Sequence, residues 1–173
     1  MNCRRTISIL VRAMEGSKII GELKLIREIL SNPKQIEYFD QIIRDAHVVK
    51  ITPIAEIFTP TQIKAIKTIV NPQIKECYKN AHLLSHLYSD SDNPILYVEG
   101  KMTVCGTFST EHAWNKIGDK YIDITAELVL GRDPNEEEYV AFGEYSAQQI
   151  NSIVLDRGYY GDIYQEIYRK NHQ

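Results

Sequence analysis

A chain of 173 residues, 43% hydrophobic and 25% charged, can bury a proper core without disulfide staples and reads as a single domain, 1–173. Its net charge of −3 is spread over interspersed acids and bases, which leaves no basic stripe for nucleic acid. Three cysteines with no Cys-x-x-Cys pair argue against a disulfide framework and against a structural zinc site.

Near the N-terminus, Arg4 and Arg5 precede the apolar run Ile7-Ser8-Ile9-Leu10-Val11. Arg12 stops that run short of a signal peptide, and no stretch reaches membrane-spanning length. A cytoplasmic protein with no membrane partner is expected, and free thiols suit that compartment. Cys3 reads as incidental.

Residues 1–70 read as a helical N-terminal extension. From Ser17 to Leu30, Ile19, Ile20, Leu23, Ile26, Ile29 and Leu30 recur at helical spacing. Asn32-Pro33 then offers an N-cap followed by proline at the first helical position. That helix is expected to run to about Val49 and to bury Ile36, Phe39, Ile43 and Ala46. Thr59 and Gln62 spell a capping box, behind which Ile63, Ile66, Ile69 and Val70 form one stripe. The helical period resumes from about Gln73 to Leu87, with Ile74, Cys77, Ala81, Leu84 and Tyr88 on one side.

Beyond the polar breaker Ser89 to Pro94 the period becomes that of strands. Ile95 to Glu99, Met102 to Phe108, Glu111 to Ile117 and Tyr121 to Thr125 are the candidates. Gly100-Lys101 and Gly118-Asp119 are the expected turns, giving an antiparallel meander. Cys105, between Val104 and Gly106, reads as a small buried strand residue. An acidic loop follows, Asp133 to Glu138, whose simplest role is a solvated connection. Ser146 and Gln149 spell a second capping box, and Gly161 to Lys170 is expected to form a terminal helix. The order is α+β: N-terminal helices, a Cys77-bearing helix packed on an antiparallel meander, and C-terminal helices. Residues 71–130 form the expected catalytic core, with the acidic loop and last helices in 131–173.

In chain order, Cys77, His112 and Asp123 supply a thiol, an imidazole and a carboxylate. Those are the nucleophile, base and orienter of acyl-transfer chemistry. A hairpin symmetric about Gly118-Asp119 sets Ile117 opposite Lys120, Trp114 opposite Asp123 and His112 opposite Thr125. His112, Trp114, Asp123 and Thr125 then share one face, with His112 and Asp123 diagonal neighbours roughly 7–8 Å apart at the backbone. An aspartate on one ring nitrogen leaves the other to take the thiol proton. The thiol gains from a helix N-terminus only if residues 71–75 form a loop, and the chemistry favours that arrangement. Glu76 would oppose a thiolate if it pointed inward, so it is expected to face solvent. Trp114 suits a core anchor that also shields the His–Asp pair from water.

His82 and His86 stand four apart on the same helix, with Asp90 four further on, which is metal-ligand spacing. No glutamate follows His82, and two exposed helical histidines are the simpler reading. No metal and no cofactor is expected. His47 and His172 carry no signal, and Tyr159 and Tyr160 fit an aromatic turn.

Cys77-Tyr78-Lys79-Asn80-Ala81, Tyr97-Val98-Glu99-Gly100, Glu111-His112-Ala113-Trp114 and Tyr121-Ile122-Asp123-Ile124-Thr125 together resemble the transglutaminase-like branch of the papain-like cysteine superfamily. The resemblance covers residues 73–125. Glu76 and Tyr78 stand where that family often has glycine or tryptophan, and Ile124 where it often has proline. The resemblance implies a Cys77–His112–Asp123 triad acting on peptide or glutamine side-chain amides of a peptide or protein substrate. The enzyme would be a cysteine protease or deamidase, or a transglutaminase. It also implies a side-chain oxyanion donor before the nucleophile, for which Gln73 is the candidate. The alternative is a catalytically inactive transglutaminase-like fold serving as a protein-interaction module.

Overall fold

The computed structural model describes residues 16–172; Cys3, Arg4, Arg5 and the apolar run 7–11 lie outside them. Local capping chemistry sets most helix starts. Helix α1 (Lys18–Ile29) is capped by Ser17, whose hydroxyl accepts the Ile20 N–H, and α2 (Pro33–Asp45) by Asn32 with proline at the first position. Both capping boxes close: Thr59 with Gln62 ahead of α3 (Pro60–Ile69), and Ser146 with Gln149 ahead of α5 (Ala147–Arg157). Between these lies α4 (Cys77–Leu87), and α6 (Ile163–Asn171) ends the chain.

The apolar stripes are narrower than their periodicity predicts. Ile19 and Leu23 are buried on α1 while Ile29 is 82% exposed, and on α3 Ile66 and Val70 are buried while Ile69 is 63% exposed. In α2 the buried residue is Ile42; Ile36, Phe39, Ile43 and Ala46 are only half-buried. That helix also stops at Asp45, short of Val49. Ala46 is extended, and His47–Val49 become strand β1.

The remaining strands are β2 (Ile95–Val104), β3 (Phe108–Ile117), β4 (Lys120–Ile122) and β5 (Tyr139–Tyr145). They form one curled antiparallel sheet in the order β1-β5-β2-β3-β4. Neither β1 nor β5 is anticipated from the sequence. Nor is Gly100-Lys101 a turn: β2 runs straight through it, with a bulge against β5 between Glu99 and Gly100. Glycine is required there because a Cβ would stand 2.0 Å from the Val140 carbonyl oxygen and 2.8 Å from the Trp114 ring. Close backbone approach is the other meaning of a glycine in a strand pattern. The true turn is Cys105-Gly106, both left-handed at φ 52° and 59°. Cys105 is therefore exposed at a hairpin tip, and the buried-strand expectation fails.

The two sheet faces build separate cores. Tyr97 and Ala113 pack with Ala81 of α4 and with Ile150, Ile153 and Ile163 of α5 and α6. Val98, Met102, Trp114, Tyr139 and Ala141 pack on the other face with Val49 and Ile51. Asn115, buried between sheet and helix, donates to the Ala81 and Leu96 carbonyls at 2.8 and 3.2 Å and ties α4 to the sheet.

The acidic loop holds the fold together. Glu137 accepts the Cys105 and Gly106 N–H groups and the Thr103 hydroxyl, fixing the hairpin tip. Glu138 accepts the Ser17 hydroxyl and the Lys18 and Ile19 N–H groups, so it caps α1 from across the molecule. Among the described residues no helix is long and apolar enough to cross a membrane.

Denaturant unfolding tests the close approach at Gly100. Gly100→Ala should cost about 3 kcal/mol or more, since overpacking here meets backbone. Gly131→Ala meets only open space at φ 61°, so it should cost about 1–2 kcal/mol from the left-handed backbone alone. Equal losses would contradict the close approach at Gly100.

Candidate active site

Residues 71–76 form a loop, and Cys77 is the first residue of α4. Asn71 and Lys75 take left-handed backbone at φ 47° and 63°. Asn80, one turn along the helix, pins the loop. Its Oδ1 accepts the Gln73 N–H at 3.0 Å, and its Nδ2 donates to the Gln73 carbonyl at 2.8 Å and to the Thr125 hydroxyl at 3.1 Å. No side chain caps this helix start, so Cys77 sits among first-turn N–H groups at the positive end of the helix dipole. Glu76 turns to Lys79 at 2.8 Å, with 40% of its side chain exposed.

The β3–β4 hairpin has the register that symmetry about Gly118-Asp119 predicts: Ile117 faces Lys120, Lys116 faces Tyr121 and Asn115 faces Ile122. It ends sooner than expected. The chain leaves the strand after Ile122, and Thr125 opens a single π-helical turn, Thr125–Val129, where a strand partner for His112 was predicted. Asp123 stands at the break. Its Oδ1 accepts the N–H groups of Thr125 and Ala126 at 2.9 and 3.0 Å. Its Oδ2 accepts His112 Nε2–H at 2.6 Å and the Tyr139 hydroxyl at 2.9 Å. With β4 ended, no β4 residue pairs with Trp114, Ala113 or His112.

Bonding Nε2 to Asp123 leaves Nδ1 of His112 for the thiol, and Cys77 is near enough to help raise the His112 pKa. His112 and Asp123 are buried, while Cys77 is only half-buried. Trp114 lies nearly parallel to the imidazole, with centroids 6.1 Å apart and planes at 22°, and Tyr139 meets Trp114 edge-on at 5.3 Å. Burial opposes an imidazolium here, but the Asp123 charge and hydrogen bond, with Cys77, outweigh it and raise the His112 pKa to about 10. Burial likewise opposes the Asp123 carboxylate. The charge and hydrogen bond of His112, with the Ala126 and Tyr139 donors, overcome this and hold its pKa below the usual range. Both shifts favour the charged pair.

Gln73 is placed differently from the other three. Its exposed amide donates to the carbonyl and side-chain oxygens of Asn71 at 2.9 and 3.1 Å, so in this conformation it is engaged elsewhere. Two residues that sequence reasoning did not single out complete the site. Tyr139 belongs to the unanticipated β5, and no local pattern links it to Asp123. Asn80 carries a weak signal, as a buried amide one turn after Cys77.

The expected pair of exposed histidines also needs correction. His82 is buried, its Nε2 bonds Asn151 Oδ1 at 2.6 Å, and burial lowers its pKa. Among the described residues no group of three or more His, Cys, Asp or Glu side chains could hold a metal. No family model, curated protein or solved structure matches the chain.

An NMR pH titration of His112 checks this electrostatic arrangement. Its imidazolium should persist well above pH 8 in the wild type. In Asp123→Asn its pKa should fall to or below the ordinary 6.5, because burial then acts almost unopposed. Linkage fixes the effect on stability. The raised His112 pKa stabilises the fold fully below about 6.5 and loses that contribution as pH climbs toward about 10. The depressed Asp123 pKa stabilises it above 3.8 and loses that below. A His112 pKa indifferent to Asp123→Asn would contradict the pairing.

Proposed function

We propose that Cys77, His112 and Asp123 are the catalytic triad of a transglutaminase-like, papain-like acyl-transfer enzyme acting on peptide or glutamine side-chain amides. The observation that carries this reading is the buried 2.6 Å His112–Asp123 hydrogen bond, beside a cysteine that opens a helix. A histidine held charged by a buried aspartate, next to a thiol at a helix N-terminus, is how a thiolate is maintained near neutral pH.

The chemistry follows from the placements. The Cys77 thiolate attacks the amide carbonyl carbon, and the carbonyl π electrons move onto oxygen. The Cys77 backbone N–H, at the first position of α4, is available to that oxyanion. Gln73 could join it only by leaving Asn71. His112 gives its Nδ1 proton to the leaving nitrogen as the C–N bond breaks, and a thioester remains on Cys77. Water then attacks the thioester while His112 takes its proton, and the carbon–sulfur bond breaks to regenerate the thiolate. Asp123 keeps the ring oriented throughout, and Tyr139 and the Thr125 and Ala126 N–H groups keep Asp123 ionised. An amine in place of water would give transamidation. Hydrolysis is the simpler outcome, because water needs no second binding site.

Iodoacetamide alkylation tests the reading, with exposed Cys105 as an internal comparison. Cys77 should react much faster than Cys105 at neutral pH, and His112→Ala should remove that advantage. On a cleaved amide substrate His112→Ala should cost roughly 10²–10⁴-fold in kcat. If Cys77 follows the Cys105 profile in the wild type, the triad reading fails, and the inactive interaction module becomes the better account.

A further inference from the structure

Near the start of α4 lies a cavity of about 360 Å³, a size suited to a small ligand or one long side chain. Tyr78, next in chain to Cys77, and Glu111, immediately before His112, both line it. So does Glu99, which the acyl-transfer chemistry does not use. Glu99 is 5% exposed, and its Oε2 accepts the Tyr164 N–H at 2.7 Å. The Asp162 N–H also faces it, but among the described residues no Lys or Arg stands within 4.0 Å of it. A carboxylate buried without a counter-ion is costly, so the fold carries an acid that nothing in it neutralises. The buried Tyr97 hydroxyl stands close enough to Glu99 to interact with it and has no other partner.

The other groups facing Glu99 define what it could receive. Asp162 is already held by Arg157 at 3.3 Å. Glu111 is exposed and stands opposite Lys101, the one basic residue lining the cavity. Aromatic rings supply much of the remaining wall, Tyr38, Tyr78 and Tyr164 among them. Aromatic faces with a buried acid form the environment that a guanidinium prefers over an ammonium. It is planar, weakly hydrated, stacks on rings and spans a carboxylate with two donors.

We propose that this cavity is a substrate subsite that takes an arginine side chain of a peptide, with Glu99 as its counter-ion and Tyr38 and Tyr78 as its aromatic walls. Glu99 and Glu111 project from the sheet face opposite His112, so the link to the reacting centre is Tyr78, next to Cys77 at the start of α4, and a peptide seated there would lead toward Cys77. That connection rests on the acyl-transfer reading; the binding itself does not. Burial, the Glu111 and Asp162 charges and the Tyr164 and Asp162 N–H donors together leave the Glu99 pKa raised to about 7. An arginine ligand, charged at every relevant pH, would favour ionised Glu99 and bind more tightly as pH rises through 7.

The test is calorimetric or NMR-detected binding of Nα-acetyl-arginine amide to the full chain carrying Cys77→Ala, so that no turnover intervenes. Its neutral isostere, the citrulline amide, and the lysine amide are the comparisons. Arginine should bind at least about tenfold more tightly than citrulline and more tightly than lysine, with affinity increasing from pH 6 to pH 8. Adding Glu99→Gln should remove the preference over citrulline. Tyr38→Leu, which leaves the buried acid in place, should weaken arginine binding even if Glu99→Gln fails to fold. Equal binding of arginine and citrulline, or no binding of either, overturns the proposal, and equal binding of lysine overturns the guanidinium assignment. Arginine binding in a protein whose Cys77 alkylates as a free thiol would leave the subsite standing and remove only its link to catalysis.

Discussion

A carboxylate at 0% exposure is the constraint around which the site is organised. Left alone, Asp123 would either protonate or unfold its surroundings. Four donors make its charge tolerable, and they come from three places: two N–H groups of the π-helical turn, the hydroxyl of Tyr139 on β5 and the imidazole of His112 on β3. Satisfying one buried acid therefore fixes where β4 must end, where β5 must lie and how the histidine ring is turned. The break after Ile122 follows directly. A strand continued to Thr125 would commit the Thr125 and Ala126 N–H groups elsewhere and leave Asp123 two donors short.

The same break lets the cysteine arrive. Once the chain folds away into the π-helical turn, Thr125 is placed to accept from Asn80, and Asn80 in turn grips the loop that delivers Cys77. One short polar relay thus links the end of the site that holds Asp123 to the end that holds Cys77. It is buried and made of neutral groups, so it adds geometry without a second uncompensated charge.

Much of this was legible in the sequence, and the failures share a cause. The two capping boxes, the Asn32-Pro33 helix start and the Gly118-Asp119 hairpin rest on short-range chemistry that a local pattern encodes. The hairpin register points to the meeting of His112 and Asp123, although the pair meets past the end of β4 and not within a strand continued to Thr125. What escaped depends on partners distant in the chain. Gly100 resembles a turn until Val140 and Trp114 are known to lie against it. β5 lacks the alternation of a half-exposed strand, since Tyr139, Val140 and Ala141 are all buried. Tyr139 could not be linked to Asp123 before its strand was placed, and Glu137 and Glu138 look like a solvated run until the groups they cap are known. The stripes of α1 and α3 overstate burial because periodicity reveals which face turns inward but not how far the neighbouring element extends.

The central claim is that Cys77 is an acyl-accepting nucleophile made so by His112 and Asp123. Its most direct test is to expose the protein to a simple activated ester and locate the acyl group by intact-mass and peptide mass spectrometry. The account predicts a single acyl adduct on Cys77, formed with a burst of released alcohol, then lost by hydrolysis, and absent in His112→Ala. No adduct on Cys77, or equal labelling of Cys77 and the hairpin-tip Cys105 in both proteins, would contradict it.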